Sequence, residues 1–346
     1  MSNWSREEDL KLQRMWLRDS VSTRDIADEL EKSKSSIYRR ISRLGLKGEK
    51  GNVSLWTEIS GQKLAPILRP VRVNLPQQTF NHPESADNIT LVYSDIHIPF
   101  QDKRAENILY QIARDVRPTQ LIALGDIVDF WQISNYRAPE ERQLNPDQIE
   151  IQESLDETEK HLGIMITESG ATDLKYLGGN HEDRWDRLLS SVRSDPKTRA
   201  LFQIPKIKQT LSLEYLLGLE ELGFDYYPYY EKEATLILND RIVMVHGWKS
   251  NKWIGSSMLE RFGKSVMFGH DHRIQNFVRR DLHGTNSAWG IGCLCTLSPH
   301  WMRFPNWHQG FAVITWKDTN RGMFFQVDQV RIHDGKSVFR GKLYRG

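Results

Sequence analysis

Cysteine, long apolar runs and net charge are all scarce in this chain of 346 residues. Its two cysteines are Cys293 and Cys295. Two thiols cannot form a disulfide framework, so a stapled secreted fold is excluded and a reducing compartment fits. On a strand, residues i and i+2 point the same way. The pair therefore reads as two small core residues on one face, with a metal or redox pair as the sharper alternative; no CxxC partner supports the latter. No stretch approaches the ~20 uninterrupted apolar residues that a membrane span needs. The opening Met1-Ser2-Asn3-Trp4-Ser5-Arg6 lacks the apolar centre of a signal peptide. The expectation is a cytoplasmic protein with no membrane partner. A formal net charge of +2 excludes a molecule that is basic all over, so any nucleic-acid surface must be local.

The length suggests two domains, or one with an appendage. Residues 1–46 read as a compact three-helix unit. Ser5-Arg6-Glu7-Glu8 is a capping-box pattern, followed by Leu12, Met15 and Trp16 at helical spacing. Ser22-Thr23-Arg24-Asp25 opens a second helix with Ile26, Ala27 and Leu30 on its apolar side. After a polar break from Glu31 to Lys34, Ile37, Ile41 and Leu44 share one face of a third. Residues 47–88 carry scattered Gly48, Gly51, Pro66, Pro70, Pro76 and Pro83, the composition of a linker, with one short strand around Val71–Val73. Residues 89–346 form the remaining domain. Apolar runs at Thr90–Tyr93, Leu121–Leu124, Leu174–Leu177, Ile242–Val245 and Val266–Phe268 predict strands. Ala105–Val116 and Asp147–Ile166 predict helices between them, the latter started by Asn145-Pro146. Phe277–Arg279, Phe311–Trp316 and Phe324–Val330 make the C-terminal part mostly β. The alternation implies an α/β sheet.

Each of the five apolar runs leads into residues that bind metals. They are Ser94-Asp95-Ile96-His97, Gly125-Asp126-Ile127-Val128-Asp129, Gly178-Gly179-Asn180-His181-Glu182, His246-Gly247 and Gly269-His270-Asp271-His272. Ligands of open α/β sheets bind beyond the carboxyl ends of the strands, so these segments would converge at one edge. Imidazole and carboxylate together suit Mn, Fe, Zn and similar ions. Singly, Asp-x-His could be a turn, and a lone His after a strand is often structural. The ordered set is what points to a metal site.

The order Asp-x-His, Gly-Asp-x-x-Asp, Gly-Asn-His-Glu, His, Gly-His-x-His resembles the calcineurin-like metallophosphoesterases over roughly residues 89–315. Pro305-Asn306-Trp307 and Gln309-Gly310-Phe311 are similar to phage- or prophage-type members. The resemblance implies a four-layer αββα sandwich behind the small all-α N-terminal domain. It also implies two divalent metal ions, Mn first among Fe, Zn, Ni and Mg. Asp95, His97 and His272 would hold one ion, Asn180, His246 and His270 the other, and Asp126 would bridge them. His181 falls at the catalytic histidine and Asp129 at the aspartate that orients it. Two ions ~3.5–4 Å apart clamp attacking and leaving oxygens, and a metal-bridging hydroxide would attack phosphorus directly. The Ser/Thr phosphatases of that family have Arg-Gly after Gly-Asp-x-x-Asp. Here Phe130 and Trp131 follow, so a phosphate clamp is missing; Arg184 and Arg187 are candidate substitutes, or else solvated helix arginines.

Residues 4–44 resemble a Myb-like or homeodomain-like helix-turn-helix, through Trp4, Trp16, Glu7-Glu8-Asp9, Ile26-Ala27-Asp28-Glu29-Leu30 and Ile37-Tyr38-Arg39-Arg40. Lys32, Lys34, Arg39, Arg40, Arg43, Lys47 and Lys50 make a local basic excess suited to phosphates. Ser35, Ser36 and Arg39 are the candidate groove readers, with Arg40 and Arg43 beside them; the alternative is a helical docking module. Phe130, Trp131, Tyr136, Trp248, Trp301 and Trp307 are base-stacking candidates or ordinary packing, Trp248 first among them. The expected function is a DNA-directed phosphodiesterase or nuclease. A phosphomonoesterase acting on proteins or small phosphates, and a non-enzymatic DNA-binding regulator, are the alternatives.

Overall fold

The computed structural model describes residues 4–18, 23–46, 88–135, 151–229, 235–282, 284–299, 302, 304–320 and 322–346. The expected linker over 47–87, its strand at 71–73, the helix start at 145–150, and Lys47, Lys50, Tyr136 and Trp301 lie outside them. The chain forms two compact units, Met1–Asn81 and His82–Gly346.

The first unit holds α1 (Arg6–Arg18), α2 (Thr23–Glu29) and α3 (Lys34–Arg43). The capping box forms at the start of α1: the Glu8 amide donates to Ser5 Oγ at 3.1 Å and the Ser5 amide to Glu8 Oε2 at 2.7 Å. Leu12, Leu17, Ile26, Leu30, Ile37, Ile41 and Leu46 make the core. Trp16 joins it and places its indole N–H on the Leu46 carbonyl at 3.0 Å. Ser33 caps α3, its hydroxyl accepting the Ser36 amide.

In the second unit, a six-stranded sheet runs β11-β10-β1-β2-β3-β4. The strands β1 (Ile89–Tyr93), β2 (Gln120–Ala123), β3 (Asp173–Leu177) and β4 (Phe224–Tyr227) are mutually parallel. β10 (Gln309–Thr319) and β11 (Gly322–Ile332) join antiparallel. A five-stranded sheet runs β5-β6-β7-β9-β8, from β5 (Leu236–Leu238), β6 (Ile242–Val245), β7 (Ser265–Phe268), β8 (Ile274–Asp281) and β9 (Gly284–Ile291). β12 (Lys336–Phe339) and β13 (Lys342–Arg345) form a separate hairpin.

Strand side chains alternate between the two faces of a sheet. Leu91 and Tyr93 of β1 join the cluster that includes Ile108, Leu109 and Ile112 of α4 (Lys103–Val116) and Leu155 and Leu162 of α5 (Ile151–Ser169). Val92 instead meets Ile122, Leu177, Met244, Met267 and Ile314 in the layer between the sheets. Val243, Val245, Val266 and Phe268 pack outward on Ile254, Met258 and Leu259 of α11 (Ile254–Phe262). The unit is thus a helix-sheet-sheet-helix sandwich. Burial on both faces explains why β1, β6 and β7 appear in the sequence as unbroken apolar runs.

Between β3 and β4 stand five helices that periodicity did not announce: α6 (Asp183–Val192), α7 (Pro196–Leu201), α8 (Pro205–Thr210), α9 (Leu213–Leu216) and α10 (Leu219–Leu222). The last four are too short for a 3.6-residue pattern to repeat. Among the described residues no helix is long and apolar enough to cross a membrane.

Candidate metal centre

The site grows from the way the chain leaves its strands. Asp95 (φ 55°), His97 (φ 54°), Asp126 (φ 52°), His270 (φ 66°) and His272 (φ 57°) all adopt the left-handed conformation. For residues other than glycine this costs about 1–3 kcal/mol each, and it persists only where surrounding contacts enforce it. Those contacts are present. The amides of Asp95 and His97 donate to the carbonyls of Gly125 and Asp126, each at 3.0 Å. The His270 amide donates to Asp95 Oδ2 at 3.0 Å. The approach is so close that a Cβ on Gly179 would fall 2.1 Å from Asp126 Oδ1, and one on Gly269 2.2 Å from Ser94 Oγ.

Beneath these turns lies Glu182, which has no exposed surface. Its Oε2 accepts the amides of Asp126 (2.9 Å) and Gly179 (2.8 Å). Its Oε1 accepts the Ile127 amide and the Tyr176 hydroxyl, each at 2.8 Å, and the Val128 amide at 3.3 Å. One carboxylate thereby fixes the loops after β2 and β3 to each other. The sequence motif contains Glu182, but spacing alone assigned it no role.

The seven residues expected to bind metal converge. The ligand atoms of Asp95, His97 and His272 lie within 4.8 Å of one another, as do those of Asp126, His246 and His270. Asp126 stands between the two groups, its Oδ2 3.2 Å from His246 Nε2 and 3.8 Å from His97 Nε2. Asn180 Oδ1 is 2.6 Å from His270 Nδ1. The donor set suits a divalent cation. His246 places Nδ1 on the Leu124 carbonyl at 2.8 Å, which aims Nε2 at the cluster. That buried Nε2 makes no hydrogen bond among the described residues. His97 is held through Nδ1 by Asp129 at 2.8 Å, and its Nε2 meets His272 Nε2 at 3.1 Å. Converging lone pairs and carboxylates ask for positive charge between them.

With protons as the only cations, the electrostatics show the same demand. Burial opposes ionisation of Asp95 and Asp126, yet His272 beside the first, and His181 and His246 beside the second, hold both well below the carboxylate range. Burial likewise opposes charge on His246 and His272, but Asp126 and Asp95 push them up to about 9. Burial and the neighbouring His246 bring His270 down to about 4.

Asp129 does more than the single task expected of it. Its Oδ2 contacts His97 Nδ1 at 2.8 Å and His181 Nδ1 at 3.0 Å, and its Oδ1 accepts from Arg184 Nη1 at 3.0 Å. His181 donates its amide to Asp126 Oδ1 at 2.9 Å, and its Nε2 lies 3.1 Å from Arg184 Nη2. Arg184 thus reaches the cluster, whereas Arg187 pairs with Asp183. Phe130 is buried and stacks on Trp185, so the position of the missing clamp is filled by packing. Trp248 lies under the Arg261 guanidinium at 4.8 Å and edge-on to Phe262. Among the described stacking candidates Trp307 meets a candidate ligand, its ring 4.3 Å from that of His272. Cys293 and Cys295 are buried, with Cys295 Sγ 3.9 Å from His272 Nδ1.

On the first unit, Arg39 and Arg43 are exposed along α3 with Ser35. Arg40 is bound to Asp9 of α1, with Nε 2.6 Å from Oδ1, and so ties two helices together. Trp4, Lys32, Ser36, Arg39, Arg40 and Arg43 line a groove of about 470 Å³.

A model of one family, described as calcineurin-like phosphoesterase, matches residues 90–280. A search of curated proteins finds no match. Among solved structures, a single mutant of Vps29 from Entamoeba histolytica is 9% identical, with 74% of this chain and 95% of that one covered and a TM-score of 0.35. Vps29 from Chaetomium thermophilum is 11% identical, covering 75% and 98% at 0.35. Vacuolar Protein Sorting 29 from Cryptosporidium parvum is 12% identical, covering 75% and 98% at 0.34.

Two outcomes follow for metal binding. Glu182→Gln replaces one of two acceptor oxygens with a donor, so manganese affinity should fall about 10–100-fold by titration calorimetry, and an unchanged affinity would contradict the bracing role. Metal must displace the protons that His246 and His272 hold up to about 9. Raised imidazole values mean that protons compete more strongly as pH falls, so apparent affinity should rise with pH toward about 9. Calorimetry in buffers of different ionisation enthalpy should show net proton release at pH 7; no release would refute the displacement.

Proposed function

The chain belongs to the calcineurin-like phosphoesterase family, and from that premise we propose that it is a DNA-directed phosphodiesterase or nuclease. Its domain is that of a metal-dependent hydrolase of phosphoester bonds. In the proposed arrangement Asp95, His97 and His272 hold one divalent ion, Asn180, His246 and His270 a second, and Asp126 touches both. Such a pair, manganese first, supplies a water of lowered pKa and offsets charge on the phosphoryl oxygens.

The protein's own groups do the rest. Asp126 is kept ionised by the imidazoles around it and aimed by the His181 amide. Asn180 offers its carbonyl toward His270 and its amide to a phosphoryl oxygen. His181 Nε2 would take the proton lost by the attacking water and pass it to the leaving oxygen, and Asp129 sets its ring through Nδ1. At Phe130, aromatic packing stands where a phosphoprotein phosphatase has its cation, which disfavours that substrate.

The observation that carries the DNA reading is the outer face of α3, where Ser35, Arg39 and Arg43 are exposed and Arg39 and Arg43 line a groove with Ser36 and Lys32. Arg39 and Arg43 contact backbone phosphates, and Ser35 and Ser36 approach base edges. Arg40 contributes through its hold on Asp9 and keeps α3 at a fixed angle.

Labelled DNA incubated with manganese should be cleaved by the full chain. Asp126→Asn should lower the rate about a thousandfold, the loss of roughly 4 kcal/mol of transition-state stabilisation. A double Arg39→Ala/Arg43→Ala variant should weaken DNA binding and flatten its salt dependence by about two phosphate contacts. Turnover of p-nitrophenyl phosphate with no cleavage of any DNA form would replace this reading with a phosphomonoesterase.

A further inference from the structure

A groove of about 340 Å³ opens directly beside the metal cluster, and the chemistry described so far does not use it. Ile133, Asn135, and Leu188 and Ser191 of α6 line it, with Asn180 and Arg184 at its inner end, where they touch His270 and His181. Asn180 is the residue whose Oδ1 reaches His270 at 2.6 Å, so the inner end of the groove adjoins the atoms that would hold the phosphate. Its volume sits at the low end of the about 300–1,000 Å³ typical of small-ligand pockets, enough for one nucleoside and too little for a folded peptide segment.

We propose that this groove is a nucleoside subsite, taking the base and sugar attached to the scissile phosphate, with Arg184 gripping that phosphate. The chemistry of the walls fits such a ligand part by part. Half-buried Ile133 and Leu188 give apolar contact for a base face, and the Asn135 amide and Ser191 hydroxyl can hydrogen-bond its edge or the sugar. The Arg184 guanidinium provides an anion contact beside these walls, so phosphate, sugar and base each meet a matching group.

Arg184 has a second feature that belongs to a substrate-binding group. Its Nη2 stands 3.1 Å from His181 Nε2. A guanidinium only donates, so it occupies the nitrogen that must face the leaving oxygen. A charged phosphate oxygen is a stronger acceptor than an imidazole nitrogen. Filling the groove therefore draws Arg184 from His181 to the phosphate and leaves Nε2 facing the scissile bond. Arg184 keeps its other contacts, to the Asp129 carbonyl at 2.8 Å and carboxylate at 3.0 Å, as a hinge for that move.

The subsite deepens the DNA reading and rests on it, so the test separates the two. Titration calorimetry on the manganese-loaded full chain compares thymidine 3′,5′-bisphosphate with inorganic phosphate. The bisphosphate should bind at least about tenfold more tightly. Leu188→Trp fills the groove, and Ser191→Trp does so from an exposed position that leaves the core untouched; either should bring the bisphosphate to within about threefold of phosphate. Arg184→Ala should weaken both ligands. Equal affinities in the unmodified protein, or full nucleoside preference in Ser191→Trp, would overturn the subsite even if DNA is cleaved. Groove-dependent binding in a protein that cleaves no DNA would sustain the subsite and refute the DNA reading.

Discussion

The buried carboxylate of Glu182 is the contact on which this molecule's active edge depends. Five candidate ligands sit in left-handed backbone at strand ends, a conformation that their own sequences disfavour. Glu182 accepts the amides of Asp126, Ile127 and Gly179 and the Tyr176 hydroxyl within 3 Å. Hydrogen bonds to an ionised acceptor are about twice as strong as neutral ones, and here they replace the water that a buried charge has lost. The loops after β2 and β3 are thus set relative to each other. Asp129 does the same work one layer up, aligning His97, His181 and Arg184 at once.

Much of this was legible before any coordinates. Doubly buried parallel strands leave solid apolar runs, and each run here ends in an Asp, Asn or His, so an α/β sheet and the convergence of these segments at one edge could be read, while the layer order came from the resemblance. The motif order resembling a known family supplied the pairing of ligands to ions, which spacing alone does not contain. The rest was hidden for physical reasons. Helices of four to six residues after α6 are shorter than two full turns and carry no period. Arg40 looks like its neighbours in a basic run, and only the tertiary fold brings Asp9, thirty-one positions away, against it. Trp307 gave no stronger signal than Trp248, and it is Trp307 that lies on His272.

The proposed chemistry and the proposed address fall on different residues. The ligand set fixes what happens at phosphorus and is silent about what hangs on it. Substrate choice is assigned instead to features off the metals: the cation-rich face of α3, the packed Phe130, and the groove walled by Arg184 and Leu188. Each can be altered without touching a candidate metal ligand, so specificity and catalysis are separable by mutation.

The account stands or falls on the two cation positions. Crystals of the full chain equilibrated with manganese, measured at the manganese absorption edge, should show two anomalous peaks about 3.5–4 Å apart. One should lie among Asp95, His97 and His272, the other among Asn180, His246 and His270, with Asp126 between them. A single peak, or peaks that bypass Asp126, would contradict it.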